Sequence, residues 1–145
     1  MIKKSKVVLL SCAEYDEEKI YALLKKGLSL VDGIESLIPM DKKILLKPNL
    51  LKKAEVEKAV ITHPVVVGAF ARILREKGYK NIVLADSCGH GTTKSVIRGT
   101  GMDTYLEKYQ IPAIDYTKGV RVENPDGVQA KEFILPKELL EAECV

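Results

Sequence analysis

Three short, uninterrupted apolar runs, each followed by polar residues, constrain the fold of this chain most strongly. They lie at Lys6–Ser11, Lys43–Leu46 and Asn81–Ala85. Such runs are typical of strands buried on both faces, as in parallel sheets. Between them, residues 17–31 and 64–77 carry apolar side chains at helical spacing. This order predicts right-handed crossovers and a three-layer α/β/α fold with a mostly parallel sheet.

The C-terminal third predicts two additions to that sheet. Pro112–Tyr116 reads as a fourth strand. The Asn124–Gly127 segment, Asn-Pro-Asp-Gly, is a strong turn signal between the candidate strands Arg121–Glu123 and Val128–Leu135. We therefore expect a β-hairpin appended to the sheet, followed at Cys144 by the first residues of a further strand.

Length and composition exclude several classes of protein. The 145 residues, 46% of them hydrophobic, suit one globular domain. A net charge of +3, with both signs mixed throughout, argues against nucleic-acid binding. No apolar stretch approaches the length of a membrane span, so we expect a cytoplasmic protein without a membrane partner. Three widely spaced cysteines form neither a disulfide framework nor a C-x-x-C metal motif.

Polar residues follow all three predicted strands where each strand ends. Ser11-Cys12 comes after the first run. Lys47-Pro48-Asn49 comes after the second run, and the segment Asp86–Gly91 comes after the third. Ligands of open α/β sheets bind in the crevice beyond the carboxyl ends of the strands. Thr62-His63-Pro64 starts a helix near the same edge, with Thr62 able to cap it and proline suited to its first turn. A ligand site is therefore expected at this edge.

The glycine-containing turn after the third run favours an anion. Glycines allow close backbone approach, and the following helix offers unpaired N–H groups to a phosphate or carboxylate. Lys47 adds a positive charge, while the Walker and G-x-G-x-x-G patterns are both absent. An equally plausible interpretation is a plain strand–helix turn in which Asp86 caps the backbone. The candidate ligand-binding residues are Lys47, Asn49, Thr62, Ser87, Gly89, Thr92 and Thr93.

Two residues are candidates for proton transfer, and two others are weaker candidates for metal or thiol chemistry. Asp86 and His63 have the side chains for acid–base catalysis, although an aspartate in a turn and a histidine at a helix start also serve as backbone acceptors. Cys88 and His90 are spaced for metal ligation but lack further ligands. A helix N-terminus and a histidine beside Cys88 would lower the pKa of its thiol and favour a nucleophile.

The segments K-I-L-L-K-P-N-L, T-H-P and V-L-A-D-S-C-G resemble the family called domain of unknown function 362, and the resemblance spans nearly the whole chain. It implies a chain like the N-terminal part of a longer family domain. Many members are labelled iron–sulfur-binding because of a ferredoxin-like cysteine cluster, which is absent here, so we expect no such cluster in this chain. The positions that the resemblance favours are Lys47, Asn49, Thr62, His63, Asp86, Ser87 and Gly89.

Three hypotheses follow for function, and the sequence does not decide whether the protein is an enzyme. The first is a domain that binds a small anionic ligand at the strand-end crevice. The second is a non-catalytic module that assembles with another chain or forms a homo-oligomer, with an exposed apolar edge near Cys144. The third is a redox or metal protein that uses Cys88 and His90.

Overall fold

The computed structural model describes residues 5–145 of the chain. Six α-helices lie within these residues: α1 (Glu17–Leu30), α2 (Ile34–Leu37), α3 (Pro64–Glu76), α4 (Thr93–Ile97), α5 (Met102–Lys108) and α6 (Lys137–Leu140). Four strands accompany them: β1 (Ile44–Leu46), β2 (Ile82–Leu84), β3 (Gly119–Glu123) and β4 (Glu132–Pro136). A single 3-10 turn, Val56–Lys58, lies between β1 and α3.

The centre of the fold is a parallel sheet around β1 and β2. Ile44 lies opposite Ile82 in their register. Single parallel bridges extend the sheet on either side, from Ile44 to Cys144 and from Leu84 to Ala113. The resulting order is Cys144, β1, β2, Ala113, with all four chain segments running the same way. The predicted α/β fold with parallel strands is confirmed.

The predicted hairpin is also confirmed, whereas the predicted fourth strand is shorter than expected. β3 and β4 pair antiparallel, with Val122 opposite Phe133, and Arg121 forms an ion pair with Glu132 at 2.7 Å. Of the Pro112–Tyr116 segment, only Ala113 forms a bridge to the sheet. After Ala113 the chain leaves the sheet toward the hairpin, so the rest of the predicted strand does not pair with β2.

The prediction of a buried strand at Lys6–Ser11 is wrong. This segment has no strand assignment, and no backbone hydrogen bond joins it to any other described residue. Val8 and Leu10 face Gly27 of α1, while Val7 and Leu9 are 80% and 91% exposed. The alternating exposure reflects packing on one helix only. An apolar run predicts strand propensity, but a strand also requires a neighbour for its N–H and C=O groups.

Capping and packing position the helices that cover the sheet. Asp16 caps α1 as predicted, its side chain accepting the N–H of Lys19 at 2.9 Å. α3 packs against both α1 and α5, and its buried face joins the apolar side chains of the strands in one core. Among the described residues, no helix is long and apolar enough to cross a bilayer.

Replacing either of two helical glycines by alanine should change the stability of this packing, and the two changes should have opposite signs. A Cβ added to Gly68 in α3 would lie 2.3 Å from Cδ1 of Tyr105, whereas one added to Gly27 in α1 would meet Leu10 at an ordinary 3.4 Å. We expect Gly68→Ala to lower the free energy of unfolding by about 1–3 kcal/mol, because α5 must move away. Gly27→Ala should raise it by up to about 1 kcal/mol through helix propensity.

Urea denaturation of both variants beside the parent chain measures the two effects. If Gly68→Ala proved as stable as Gly27→Ala, the close approach of α3 to the Tyr105 ring would be wrong.

Candidate functional site

The carboxylate of Asp86 joins the ends of the two central strands. Oδ1 lies 2.6 Å from Nζ of Lys47, and Oδ2 accepts the backbone N–H of Leu50 at 2.8 Å. The Asp86 side chain is 4% exposed and that of Lys47 is 42% exposed. The buried acid is therefore fully paired, while the ammonium keeps two N–H groups for solvent or a ligand.

Thr93 fixes the same aspartate from the other side. Its hydroxyl accepts the backbone N–H of Asp86 at 3.0 Å and donates to the Asp86 carbonyl at 3.2 Å. Thr93 is 1% exposed, so it is not available to a ligand. Its position at the start of α4 couples this helix to the end of β2.

Asn49 and Thr62 hold the loop after β1 against the start of α3. The backbone N–H of Asn49 donates to Oγ1 of Thr62, and the N–H of Thr62 donates to the carbonyl of Asn49, both at 2.9 Å. The Asn49 side chain donates to the Val60 carbonyl. The structure therefore brings Lys47, Asn49 and Thr62 to one edge, as the sequence predicted.

His63, and not Thr62, caps α3. Its Nδ1 accepts the N–H of Val65 at 3.3 Å, because the Thr62 hydroxyl is already occupied by Asn49. The imidazole stacks on the ring of Tyr15 with centroids 3.7 Å apart. Burial lowers the pKa of His63, since it disfavours the charged ring. The cap requires Nδ1 to be unprotonated, so the remaining proton of the neutral ring lies on Nε2.

The N-terminus of α4, where the sequence predicts an anion, already carries a carboxylate of the protein. Oδ1 of Asp115 accepts the N–H of Lys94 at 2.9 Å. Thr92 and Ser95 form a reciprocal capping box. The hydrogen-bonding groups expected to hold a ligand are thus used within the fold. Asp115 was missed, although its position at the end of the predicted fourth strand was a usable signal.

The loop between Asp86 and α4 packs against the loop after β1. A Cβ on Gly89 would lie 2.8 Å from Cδ1 of Leu51, and the N–H of His90 donates to the Leu51 carbonyl at 3.0 Å. Ser87 and His90 are exposed. Gly89 therefore serves close packing between the two loops, and Ser87 remains open to a ligand.

The surroundings of Cys88 do not favour an activated thiol. Burial raises the pKa of Cys88, and the nearby negative charge of Asp86 raises it further. The thiol is 3.9 Å from the Asp86 carbonyl. Among residues 5–145, no group of three or more His, Cys, Asp or Glu side chains could hold a metal ion. Cys88 and His90 thus have no further ligand there.

A cavity of about 260 Å³ opens beside Lys47 at the end of β1. Lys47 and Thr62 are its polar lining residues. The apolar lining comes from β1, α3 and the segment beside β1: Leu45, Leu46, Pro48, Val66, Val67, Phe70 and Val145. The lining is therefore mainly apolar, with two polar residues among its nine. The contribution of α3 was not predicted, since its inward-facing apolar residues were read as core alone.

Comparison with known proteins identifies a family and a curated relative. The family model described as "Domain of unknown function (DUF362)" matches residues 44–145. The thylakoid-associated protein sll1697 of Synechocystis sp. is 29% identical over 139 residues, covering 96% of this chain and 42% of the relative. The chain therefore spans about two fifths of the length of that protein. No solved structure matches the chain.

Asp86→Ala tests the pairing at the strand ends. It removes the acceptor of the buried Leu50 N–H and the partner of Lys47, so we expect the free energy of unfolding to fall by about 2–4 kcal/mol. Asp41→Ala, at an exposed aspartate in a turn, should change it by less than about 0.5 kcal/mol. Chemical denaturation measures both, and similar losses in the two variants would contradict the role given to Asp86.

His63→Asn tests the partly buried cap of α3 by its dependence on pH. The folded pKa of His63 lies below its unfolded value, so the unfolded chain binds the proton more readily. Its contribution to stability is present above a pH of about 6.5 and is lost as the pH falls through the folded pKa.

We expect the stability of the parent chain to fall more steeply between about pH 7 and pH 5 than that of His63→Asn, which keeps a capping acceptor. His90→Asn, at the exposed histidine, is the control and should follow the parent chain. Equal pH profiles for the parent and His63→Asn would refute the burial of this ring.

Proposed function

The chain belongs to the family described as domain of unknown function (DUF362), and we propose that in this member the strand-end crevice binds a small amphipathic carboxylate. The observation that carries the proposal is the cavity at the end of β1, whose lining includes Lys47 and Thr62 beside seven apolar residues. The sequence predicts an anionic ligand, and the cavity adds the requirement that the ligand also has an apolar portion.

The Lys47 ammonium is held in place before any ligand arrives. Its bond to the buried Asp86 fixes the end of a long, flexible side chain, so less conformational entropy is lost on binding. Because Asp86 also accepts the Leu50 N–H, its charge is shared between two donors. The exposed N–H groups of Lys47 can then donate to the oxygen atoms of a ligand.

Thr62 supplies a second donor to the same ligand group. Its oxygen accepts the Asn49 N–H, while its own O–H has no acceptor among the described residues. Val66 and Phe70 lie further along the cavity on α3 and suit an aliphatic chain. A volume of about 260 Å³ limits that chain to a few carbon atoms.

The proposal extends to proton transfer by Asp86 and His63. It also takes the protein to be cytoplasmic, to bind neither nucleic acid nor a membrane, and to form a homo-oligomer. The relative sll1697 is described as a thylakoid-associated protein. The exposed apolar side chains of Val7 and Leu9 are a surface through which self-association would proceed.

Titration with straight-chain carboxylates from acetate to hexanoate tests the proposal. We expect affinity to rise about two- to fourfold per methylene group until the chain exceeds the cavity. Lys47→Gln should weaken binding about tenfold, whereas Lys80→Gln, at an exposed lysine after α3, should leave it unchanged. Isothermal calorimetry and amide chemical shifts measure both effects.

A second variant separates binding from stability, because Lys47 also pairs with Asp86. Val66→Phe narrows the cavity and leaves the Lys47–Asp86 pair intact, so it should weaken hexanoate more than acetate. The proposal fails if affinity does not depend on chain length, or if Lys80→Gln weakens binding as much as Lys47→Gln.

A further inference from the structure

The segment Lys6–Ser11 is an apolar run whose backbone is unpaired on both sides. No backbone hydrogen bond joins it to any other described residue. Val8 and Leu10 face α1, whereas Val7 and Leu9 are 80% and 91% exposed, so exposure alternates as it does along a strand that packs on one layer. A strand with open edges and an apolar outer face is a template for pairing with another chain.

The run also covers α1 incompletely. A cavity of about 530 Å³ is lined by Val8 and Leu10 of the run and by Leu23, Leu24 and Leu28 of α1, among other residues. A helix with its side chains is about 10 Å wide, whereas neighbouring strands lie about 4.8 Å apart, so one strand covers only about half of a helix face. A second strand beside the run would cover the rest.

The charges around the run favour an antiparallel partner of the same sequence. Three lysines lie at its start and four acids follow it: Lys3, Lys4, Lys6, Glu14, Asp16, Glu17 and Glu18. In an antiparallel pair of two copies, the basic end of each run meets the acidic end of the other, whereas a parallel pair places like charges together. Glu14 already pairs with Lys19, and Lys6 forms an exposed pair with Asp32, so the charges select the orientation more than they add affinity.

We propose that the Lys6–Ser11 runs of two copies of this chain pair as antiparallel strands, with a two-fold axis at Leu9. Opposite residues of an antiparallel pair point to the same face, so Leu9 lies opposite its counterpart and Val8 lies opposite Leu10 of the partner copy. This register joins the most exposed side chains of the run and adds apolar side chains of the partner copy to the layer over α1. An axis at Val8 would instead place Lys6 against Leu10.

This interface rests on the self-association included in the proposed function, and it does not depend on carboxylate binding. Leu9 does not line the cavity beside Lys47. Hexanoate binding by Leu9→Lys should therefore equal that of the parent chain, and a failure of the interface can be distinguished from a failure of the carboxylate site.

Sedimentation velocity of the chain at increasing concentration tests the proposal. We expect a monomer–dimer equilibrium with a Kd of roughly 10–100 µM, because the interface is small. Leu9→Lys and Leu9→Glu each place like charges opposite one another, so either change should weaken the dimer about tenfold or more. An equimolar mixture of the two variants should restore it, since opposite charges then meet. Leu37→Lys, at an exposed leucine of α2, is the control and should leave the Kd unchanged.

Amide hydrogen exchange distinguishes strand pairing from any other contact between copies. Alternate amides of residues 7–11 should exchange more slowly as the dimer forms, because every second N–H of a strand points to its neighbour. The proposal is overturned if the chain stays monomeric across this range of concentration, if Leu9→Lys dimerises as the parent chain does, or if the mixture of the two charged variants stays monomeric. Dimerisation that leaves the exchange of residues 7–11 unchanged would also overturn it.

Discussion

Asp86 is bonded through its side chain and its backbone to groups from three parts of the chain, and the geometry of the strand-end crevice depends on it. The carboxylate provides two of these bonds. It pairs with Lys47 at the end of β1, accepts the N–H of Leu50 in the following loop, and belongs to a residue whose backbone is held by Thr93 of α4. A buried carboxylate without such partners would destabilise the fold strongly. The same bonds that compensate its burial also set the distance between the two strand ends.

The helices and strands that depend only on neighbouring residues in the sequence were predictable from it. Continuous apolar residues identified β1 and β2, while an N-terminal cap and helical spacing identified α1. The sequence does not show which distant segments pair with one another. The Lys6–Ser11 run is as apolar as the others, but strand formation requires a neighbour that no local pattern specifies. Likewise, Thr62 and His63 are both able to cap α3, and only the bond from Asn49 to Thr62 decides between them.

The sequence predicted the location of the candidate site better than it predicted the hydrogen bonds within it. The topology of a parallel sheet places Lys47, Thr62 and Asp86 at one edge, and the structure brings them there. The helix N-terminus seemed free because the sequence does not show that Asp115 reaches the Lys94 N–H. The sequence also does not show that the hydroxyl of Tyr116 is buried without a hydrogen-bond partner.

The order of the sheet also bears on how the chain reaches this structure during synthesis. β1 lies between β2 and Cys144, and the backbone N–H of Lys43 is bound by the side chain of Glu143, one hundred positions away. Synthesis must therefore reach Glu143 and Cys144 before this flank of β1 can be paired. Until then that flank is an open, apolar strand edge, the kind of surface that chaperones cover. Slow synthesis of the segment between β2 and Cys144 would prolong that exposure, and fast synthesis would shorten it.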